Sequence, residues 1–362
     1  MNRYEAEVTG IKYGDDKMQV LRLGEPAEHL AVCFVELAGL CAPGDRVLVN
    51  STATDLDLGT GGFDFIIARL DDAAGVSPRA VDPDKEGHIM KLRYTPLQTN
   101  VMCIEEPGSP THAKMLAADT LSGMPVACCE LHSQMPLVAA GIRKTLPDAK
   151  IVYIMTDQSA LVMQFSKVAT KSLETGLVNL AITCGQAMGG DAEAVNLHSA
   201  LLAARNVYDA DVAIVAIGPG IVGTATPFGH GGCAQAEAVN ATAALGGIPV
   251  AVMRVSFADP RERHIGVDYH FTNSIGKLAL AKTIVCIPDN LTDSHRATVQ
   301  AQLHEADILM NHKIVEVSVG DGPIDTRGIN VTTMGRSFED DPAFFWCAYA
   351  AGIEAGRLCQ QA

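Results

Sequence analysis

The first third of the chain alternates short apolar runs with turn-forming residues. The apolar runs lie at residues 18–23, 29–37, 46–50 and 63–70. Gly, Asp and Pro between them are typical of tight turns that join short strands. The pattern predicts a small antiparallel β-barrel or curled sheet. Residues 88–105 return to the same texture, and we expect them either to close the barrel or to join it to the next domain.

Beyond about residue 110, apolar runs alternate with stretches of helical length. The predicted strands are residues 126–131, 151–156, 180–184, 212–217, 250–255, 283–287 and 314–319. The predicted helices are residues 134–145, 159–174, 192–207, 234–245, 273–282, 294–305 and 342–358. Several of these strands are apolar throughout, which is typical of a parallel sheet covered on both faces. The alternation predicts a doubly wound, mostly parallel α/β domain.

These patterns together predict two domains. A β-barrel domain would cover residues 1–105, and a Rossmann-like α/β domain would cover residues 106–362. The polar, proline-containing residues 71–87 are predicted to form a loop or linker.

Composition and charge exclude several classes of protein. The 362 residues include 27 basic and 42 acidic side chains, which give a net charge of −15. This acidic balance argues against nucleic acid or an anionic membrane as a main partner. The chain contains no run of about 18 apolar residues and begins with a polar segment, so we expect neither a membrane span nor a signal peptide. Ten cysteines without a C-x-x-C pair favour a reduced, cytoplasmic protein.

The residues that follow the predicted strands are the candidates for chemistry, because ligands of doubly wound sheets bind beyond the carboxyl ends of the strands. His132, His230 and His264 could act as acid–base groups or metal ligands. Asp157 and Asp191 could supply carboxylates. Each has a structural alternative: a lone histidine is often a satisfied core residue, and the position of Asp191 before a predicted helix favours an N-cap.

Glycine-rich loops form the second group of candidates. Residues 218–223 have the spacing G-x-G-x-x-G, but no helix opens within them and no acidic residue follows at the expected distance, so a dinucleotide site is not predicted. The backbone N–H groups of Gly218, Gly220, Gly223 and Thr224 could instead hold an anion, or the loop could be a close-packed turn. Two further glycines are ligand-binding candidates for the same reason: Gly189 and Gly190.

Two arginines complete the list of candidates. Arg261 and Arg263 lie in the charged segment 259–264 and could clamp an anion through their planar guanidinium groups. The alternative is a solvated loop with internal ion pairs. The sequence contains no metalloprotease, hydrolase-elbow or P-loop motif, so no metal ligand is assigned and the cofactor stays unknown.

Five segments taken together resemble an uncharacterised bacterial family, the domain of unknown function 3866 family. The segments are residues 59–64, 185–196, 218–224, 256–264 and 333–344. The resemblance spans nearly the whole chain and implies that these loops belong to one architecture. It implies no activity and no catalytic residues.

The sequence leaves two functions open. The first is an enzyme that acts on a small anionic ligand, such as a phosphorylated or nucleotide-like molecule, at the carboxyl ends of the α/β strands. The alternative is a non-catalytic module that senses a ligand or assembles with a protein, since no nucleophile or metal motif is present. A homo-oligomer is possible because most soluble assemblies are symmetric homo-oligomers.

Overall fold

The computed structural model describes residues 1–25, 29–58, 61–70 and 87–361. The chain forms two compact units, the first containing residues 1–86 and 92–100 and the second residues 87–91 and 101–362. The predicted linker at 71–87, apart from Gly87, lies outside the described residues. So do Gly59 and Thr60 of the glycine turn.

The first unit is built around a closed five-stranded barrel, as the sequence predicts. Its strands are β1 (Arg3–Gly14), β2 (Met18–Leu23), β3 (Leu30–Phe34), β4 (Arg46–Asn50) and β5 (Phe63–Arg69). The strand order is β1-β2-β3-β5-β4, and β4 pairs back with β1. The pairings are antiparallel except that of β3 with β5, which is parallel. Two short helices, α1 (Val35–Ala38) and α2 (Thr52–Asp55), connect the strands.

The barrel closes without residues 88–105, so the first alternative for this segment, that it closes the barrel, is wrong. Two short strands lie there, β6 (Ile89–Lys91) and β7 (Thr99–Val101), and neither belongs to the barrel. The barrel core is formed by inward-facing side chains such as Val8, Leu21 and Val47. Since β1 and β4 already pair over five residues, no further strand is needed between them.

The second unit is an α/β domain with an eight-stranded parallel sheet, again as predicted. The sheet strands are β8 (Pro125–Cys128), β9 (Ile151–Thr156), β10 (Leu180–Cys184), β11 (Ala192–Ala194), β12 (Val212–Ile217), β13 (Ile248–Ala251), β16 (Ile284–Pro288) and β17 (Lys313–Val317). Between β13 and β16 the chain forms a separate antiparallel pair, β14 (Val255–Ser256) and β15 (Gly266–Val267). The order in the sheet is β11-β10-β9-β12-β8-β13-β16-β17, and all its pairings are parallel.

Helices cover both faces of the sheet. They are α3 (His112–Ala117), α4 (Met135–Thr145), α5 (Lys167–Glu174), α6 (Leu197–Asn206), α7 (Ala234–Ala244), α8 (Tyr269–Asn273), α9 (Asp293–Glu305), α10 (Ile308–Asn311) and α11 (Pro342–Cys359). Helices α4, α5 and α11 bury their apolar residues on one face, and α6, α7 and α9 bury theirs on the other. Among the described residues, no helix has the length and apolar character to span a membrane.

Three predicted helices begin or end elsewhere. Residues 159–166 are not α-helical, because their backbone bonds to neighbouring loops, as in the bond from Ala160 N to Pro219 O. Residues 192–194 form β11 instead of a helix turn, and α6 starts only after Asn196, whose side chain accepts a hydrogen bond from Ser199 N. Asn196 is therefore the N-cap, and the prediction that Asp191 caps this helix is wrong. The helix predicted at 273–282 ends at Leu278 in a π-helical turn.

Helices α4 and α11 pack with their backbones in close contact. Gly141 in α4 and Gly352 in α11 lie where a Cβ atom would overlap backbone atoms of the other helix. Helix α11 has 18 residues and is buried along most of its length. Only glycine permits this approach, so the two helices form one tightly packed layer.

The path of the chain reverses at the centre of the sheet. From β8 the chain proceeds outward to β9, β10 and β11, then returns to β12 beside β8, and continues on the other side through β13, β16 and β17. In open α/β sheets, ligands bind at the carboxyl ends of the strands where such a reversal occurs. The loops after β8, β12 and β13 are therefore the place to look for a site.

Candidate functional site

Three buried charged residues meet beyond the carboxyl ends of β8 and β13. Glu130 follows β8, Arg254 follows β13, and Asp268 follows β15; their exposed fractions are 1%, 4% and 1%. Arg254 Nη1 donates to Glu130 Oε1 at 2.8 Å, and Arg254 Nε lies 3.2 Å from Asp268 Oδ2. One guanidinium thus neutralises charge on two carboxylates.

Contacts within the cluster shift the pKa values of Asp268 and Arg254 in opposite directions. Burial alone would raise the pKa of Asp268, but its hydrogen bond to His264 and the charge of Arg254 hold the pKa below the usual value. Burial alone would lower the pKa of Arg254, and the charges of Glu130 and Asp268 raise it instead. Asp268 and Arg254 are therefore in the ionic state that their mutual contacts require.

Each of the two carboxylates also holds a histidine. His264 Nδ1 bonds to Asp268 Oδ2 at 2.5 Å, and His270 Nδ1 bonds to Glu130 Oε1 at 3.0 Å. Because an ionised carboxylate only accepts hydrogen bonds, Nδ1 of each ring carries the proton, and the lone pair of the neutral imidazole is on Nε2. Both Nε2 atoms are buried, and neither has a hydrogen-bond partner among the residues that the structure describes. The result is a pair of oriented bases with unused nitrogen atoms.

Two aromatic residues pack against this pair. His230 stacks on His270 with ring centroids 3.9 Å apart, and its Nε2 lies 3.0 Å from Pro227 O. Burial, followed by the neighbouring His270, lowers the pKa of His230, so this ring is neutral near pH 7. The Tyr269 ring centroid lies 5.3 Å from that of His264 and 4.3 Å from that of His270.

A metal ion does not fit this arrangement well. Glu130, Asp268 and His270 place possible ligand atoms within 4.8 Å of one another. The cationic group of Arg254 already contacts both carboxylates, and His270 Nδ1 is bonded to Glu130. A divalent cation would have to displace Arg254 against charge repulsion, so we assign no metal to these residues.

A second ionic network lies beside the first. Arg261 Nε and Nη2 each donate to Asp259 at 2.9 Å, and Arg336 Nη2 donates to the same carboxylate at 3.2 Å. These bonds hold the pKa of Asp259 far below its usual value, with the Arg261 bond as the largest cause. The guanidinium group of Arg261 is therefore paired with Asp259 of the same loop. This arrangement corresponds to the second interpretation of the sequence, a solvated loop with internal ion pairs.

Arg263 is in a different situation from Arg261. Its side chain is exposed, and its guanidinium carbon lies 5.8 Å from the centroid of the Tyr269 ring. Within the described ranges, no carboxylate forms an ion pair with it. Arg263 is thus a cation next to the histidine pair that is free to contact an anion.

Comparison with known proteins identifies the family. A model described as "Protein of unknown function (DUF3866)" matches residues 30–352. The chain belongs to the domain of unknown function 3866 family. This confirms the resemblance seen in the sequence. No curated protein and no solved structure matches the chain.

Several predicted site residues take part in hydrogen bonds between a side chain and the main chain. Asp157 accepts a hydrogen bond from Gln186 N at 2.8 Å. Asp191 accepts one from Ala181 N near the amino end of β10, at the opposite edge of the sheet from the histidines. Gly189 N donates to Glu193 Oε1 and Gly190 N donates to Thr183 Oγ1. These contacts are structural, and none of them involves the histidine pair.

His132 also lies apart from the two histidine–carboxylate pairs. It begins a single helical turn, His132–Gln134, that leads from β8 into α4. Burial lowers its pKa to about 4, so it is neutral at pH 7.

The glycine loop of this family member covers the histidines. Gly218 packs against Ala160, Ile221 is half-buried, and residues 222–229 are exposed. Thr224 N is bonded to Gly229 O within the loop. A Cβ atom on Gly223 would lie 3.4 Å from His270 Nε2. The loop therefore closes over the Nε2 atom of His270. The backbone N–H of Thr224, one of the predicted anion donors, is already bonded within the loop.

Sequence reasoning selected His230 and His264 but missed Arg254, Asp268 and His270. Glu130 stood at the end of a predicted strand without being singled out. The signal available was the i, i+4 spacing of His264 and Asp268, followed by His270 two residues later. Because β15 has only two residues, no apolar run marked this segment as a strand end.

Proposed function

We propose that the protein is an enzyme that acts on a small anionic molecule by proton transfer, with His264 and His270 as the acid–base pair. The observation that carries this proposal is the pair of buried Nε2 atoms without partners, each on an imidazole oriented by a carboxylate. General bases are commonly arranged in this way, with one nitrogen fixed and the other facing the substrate.

The energetic cost of the arrangement supports a catalytic role. A buried polar atom without a hydrogen bond costs about 1–3 kcal/mol, and most such atoms in folded proteins are paired. Here two such atoms belong to rings whose centroids are 5.7 Å apart. A protein that needed the histidines only for packing would gain stability from apolar side chains in their place.

Each residue of the site has a distinct role in the proposal. A neutral imidazole takes a proton at Nε2, and a protonated imidazole gives one from the same atom. Arg254 contacts both carboxylates and holds them in place, so it is a positioning residue. Arg263, which has no carboxylate partner in the described part of the chain, contacts the anionic group of the substrate.

The test is a search for turnover in a pool of anionic metabolites. The protein is incubated with the pool in D₂O, and mass spectrometry follows both consumption and deuterium incorporation. We expect one compound to be converted, and we expect His264→Gln and His270→Gln each to reduce the rate at least about 100-fold. His198→Gln is the matched control, because His198 is exposed on α6.

Two results would overturn the proposal. Turnover that survives both substitutions would remove the histidines from the chemistry. A compound that binds tightly and returns unchanged, without deuterium, would favour the ligand-sensing module over the enzyme.

A further inference from the structure

A cleft of about 340 Å³ lies beside Tyr269. Its walls include Arg263, Asn273, Lys277, Gln302 and Glu305. The Tyr269 ring that lines the cleft also packs against His264 and His270. The cleft therefore adjoins the histidine pair through Tyr269, although neither histidine is among its lining residues. Its volume is at the lower end of the range for small-ligand sites.

The floor of the cleft is rigid. Gln302 Oε1 accepts from Val267 N at 2.7 Å, and Gln302 Nε2 donates to Ile265 O at 2.9 Å. Gly266 has φ +77°, and a Cβ atom there would overlap the Gln302 amide. Both ends of the amide are used, so α9 and β15 are held together beneath any ligand.

The walls carry charges of both signs that the protein itself does not pair across the cleft. Arg263 and Glu305 form no ion pair within the described residues. Lys277 lies 3.7 Å from Asp307, an exposed and therefore weak contact. With Glu262, the lining contains two cations and two anions. A ligand with several negative charges would meet two carboxylates, whereas a ligand with one charge of each sign would meet a partner for both.

We propose that this cleft binds a small zwitterion, an amino acid or short peptide, with its carboxylate on Arg263 and its ammonium group on Glu305. This inference rests on the proposed function, since it names the substrate class of the same site. Arg263 lies over Tyr269, so the carboxylate end of the ligand is the end nearer to the imidazoles. The carboxylate of a zwitterion supplies the anionic group that the proposed enzyme requires of its substrate.

The test measures binding of glycyl dipeptides by saturation-transfer NMR, together with their N-acetyl and C-terminal amide derivatives. We expect the free dipeptides to bind and either blocking group to weaken binding at least tenfold. Arg263→Gln and Glu305→Gln should each weaken it to a similar degree. Arg296→Gln is the control, because Arg296 lies on the same helix as Glu305 and pairs with Glu316.

The outcomes separate this inference from the proposed function. Equal binding of the N-acetyl derivatives would overturn the zwitterion and leave an anion-binding enzyme. Absence of dipeptide binding, or binding insensitive to both variants, would also overturn it. His264→Gln should keep dipeptide affinity within twofold while turnover is lost. If that variant keeps its turnover, the proposed function fails whatever the cleft binds.

Discussion

The carboxyl edge of the sheet carries two polar regions of similar composition and different use. One region follows β8, β12 and β13 and contains the histidine pair. The other follows β9 and β10 and contains Asp157, Glu193 and the buried Lys91. In this second region the side chains hold main-chain atoms: Lys91 Nζ bonds to Gly185 O at 2.9 Å and lies 3.2 Å from Glu193 Oε2.

The regions differ in residue type, since the histidines lie in the first, and also in hydrogen bonding. Asp157, Lys91 and Glu193 each have a backbone partner. His264 and His270 each leave one buried nitrogen without a partner. Residues of both regions were candidates from sequence, and only the structure separates the two regions. Glu193 Oε2 also lacks a hydrogen bond, but it lies 3.2 Å from Lys91 Nζ, so its charge is paired within the protein.

The largest expected effect is in the histidine region. Arg254→Met leaves Glu130 and Asp268 buried without their cation, so we expect the free energy of unfolding to fall by about 4 kcal/mol. Urea unfolding followed by fluorescence of the single tryptophan, Trp346 in α11, measures it. Arg296→Met is the control and should cost less than about 1 kcal/mol, because the carboxylate of its partner Glu316 is largely exposed. A loss below about 1 kcal/mol for Arg254→Met would contradict its role as a bridge between Glu130 and Asp268.

A somewhat smaller loss is expected in the second region. Lys91→Met leaves Glu193 buried without its cation and should cost about 3 kcal/mol. The double variant Lys91→Met, Glu193→Gln should recover part of that loss, because the uncompensated charge is gone. Turnover per folded molecule should be unchanged. If Lys91→Met abolished turnover while folded, the second region would be functional and the comparison would fail.

A pH effect of intermediate size comes from His132. Its pKa is about 4 in the folded protein and about 6.5 in an unfolded chain. Between these values the unfolded state binds a proton that the folded state does not, so stability falls as the pH falls. The expected loss from this group is about 2 kcal/mol between pH 7 and pH 5. His132→Gln should remove that share, which urea unfolding at both pH values would show.

The smallest change in stability is expected for His264→Phe, and it gives the clearest contrast between the two regions. His264→Phe removes the hydrogen bond from Nδ1 to Asp268, and it also removes Nε2, a buried nitrogen with no hydrogen-bond partner among the described residues. These two changes oppose each other, and Asp268 keeps its contacts to Arg254 and to His270 N. We expect the free energy of unfolding to change by less than about 1 kcal/mol. Thermal unfolding beside Lys91→Met measures the contrast. A loss as large as that of Lys91→Met would show that His264 is held for stability.

The sequence predicts the strands well where they are apolar throughout. β9, β10 and β12 have the predicted ends, because continuous burial on both faces leaves a clear apolar run. β11 was missed because three residues, Ala192–Ala194, carry no periodic signal. The edge of the sheet that bears the site was predictable from the fold class.

The partners within the site were not predictable. Glu130 and His270 are 140 residues apart, and only the folded sheet brings them to 3.0 Å. The pairing of Arg261 with Asp259 is local, yet the sequence equally allowed an anion clamp. Which charges are used internally depends on side-chain geometry that no spacing rule contains.

The close contact of α4 and α11 has a consequence for synthesis. The two helices are separated by about 200 residues, and the ribosome adds roughly 5–20 residues per second. The apolar face of α4 that packs on α11 therefore stays uncovered for roughly 10–40 seconds after α4 has emerged from the ribosome. During that interval the part of the core that α11 covers in the folded protein stays open to solvent.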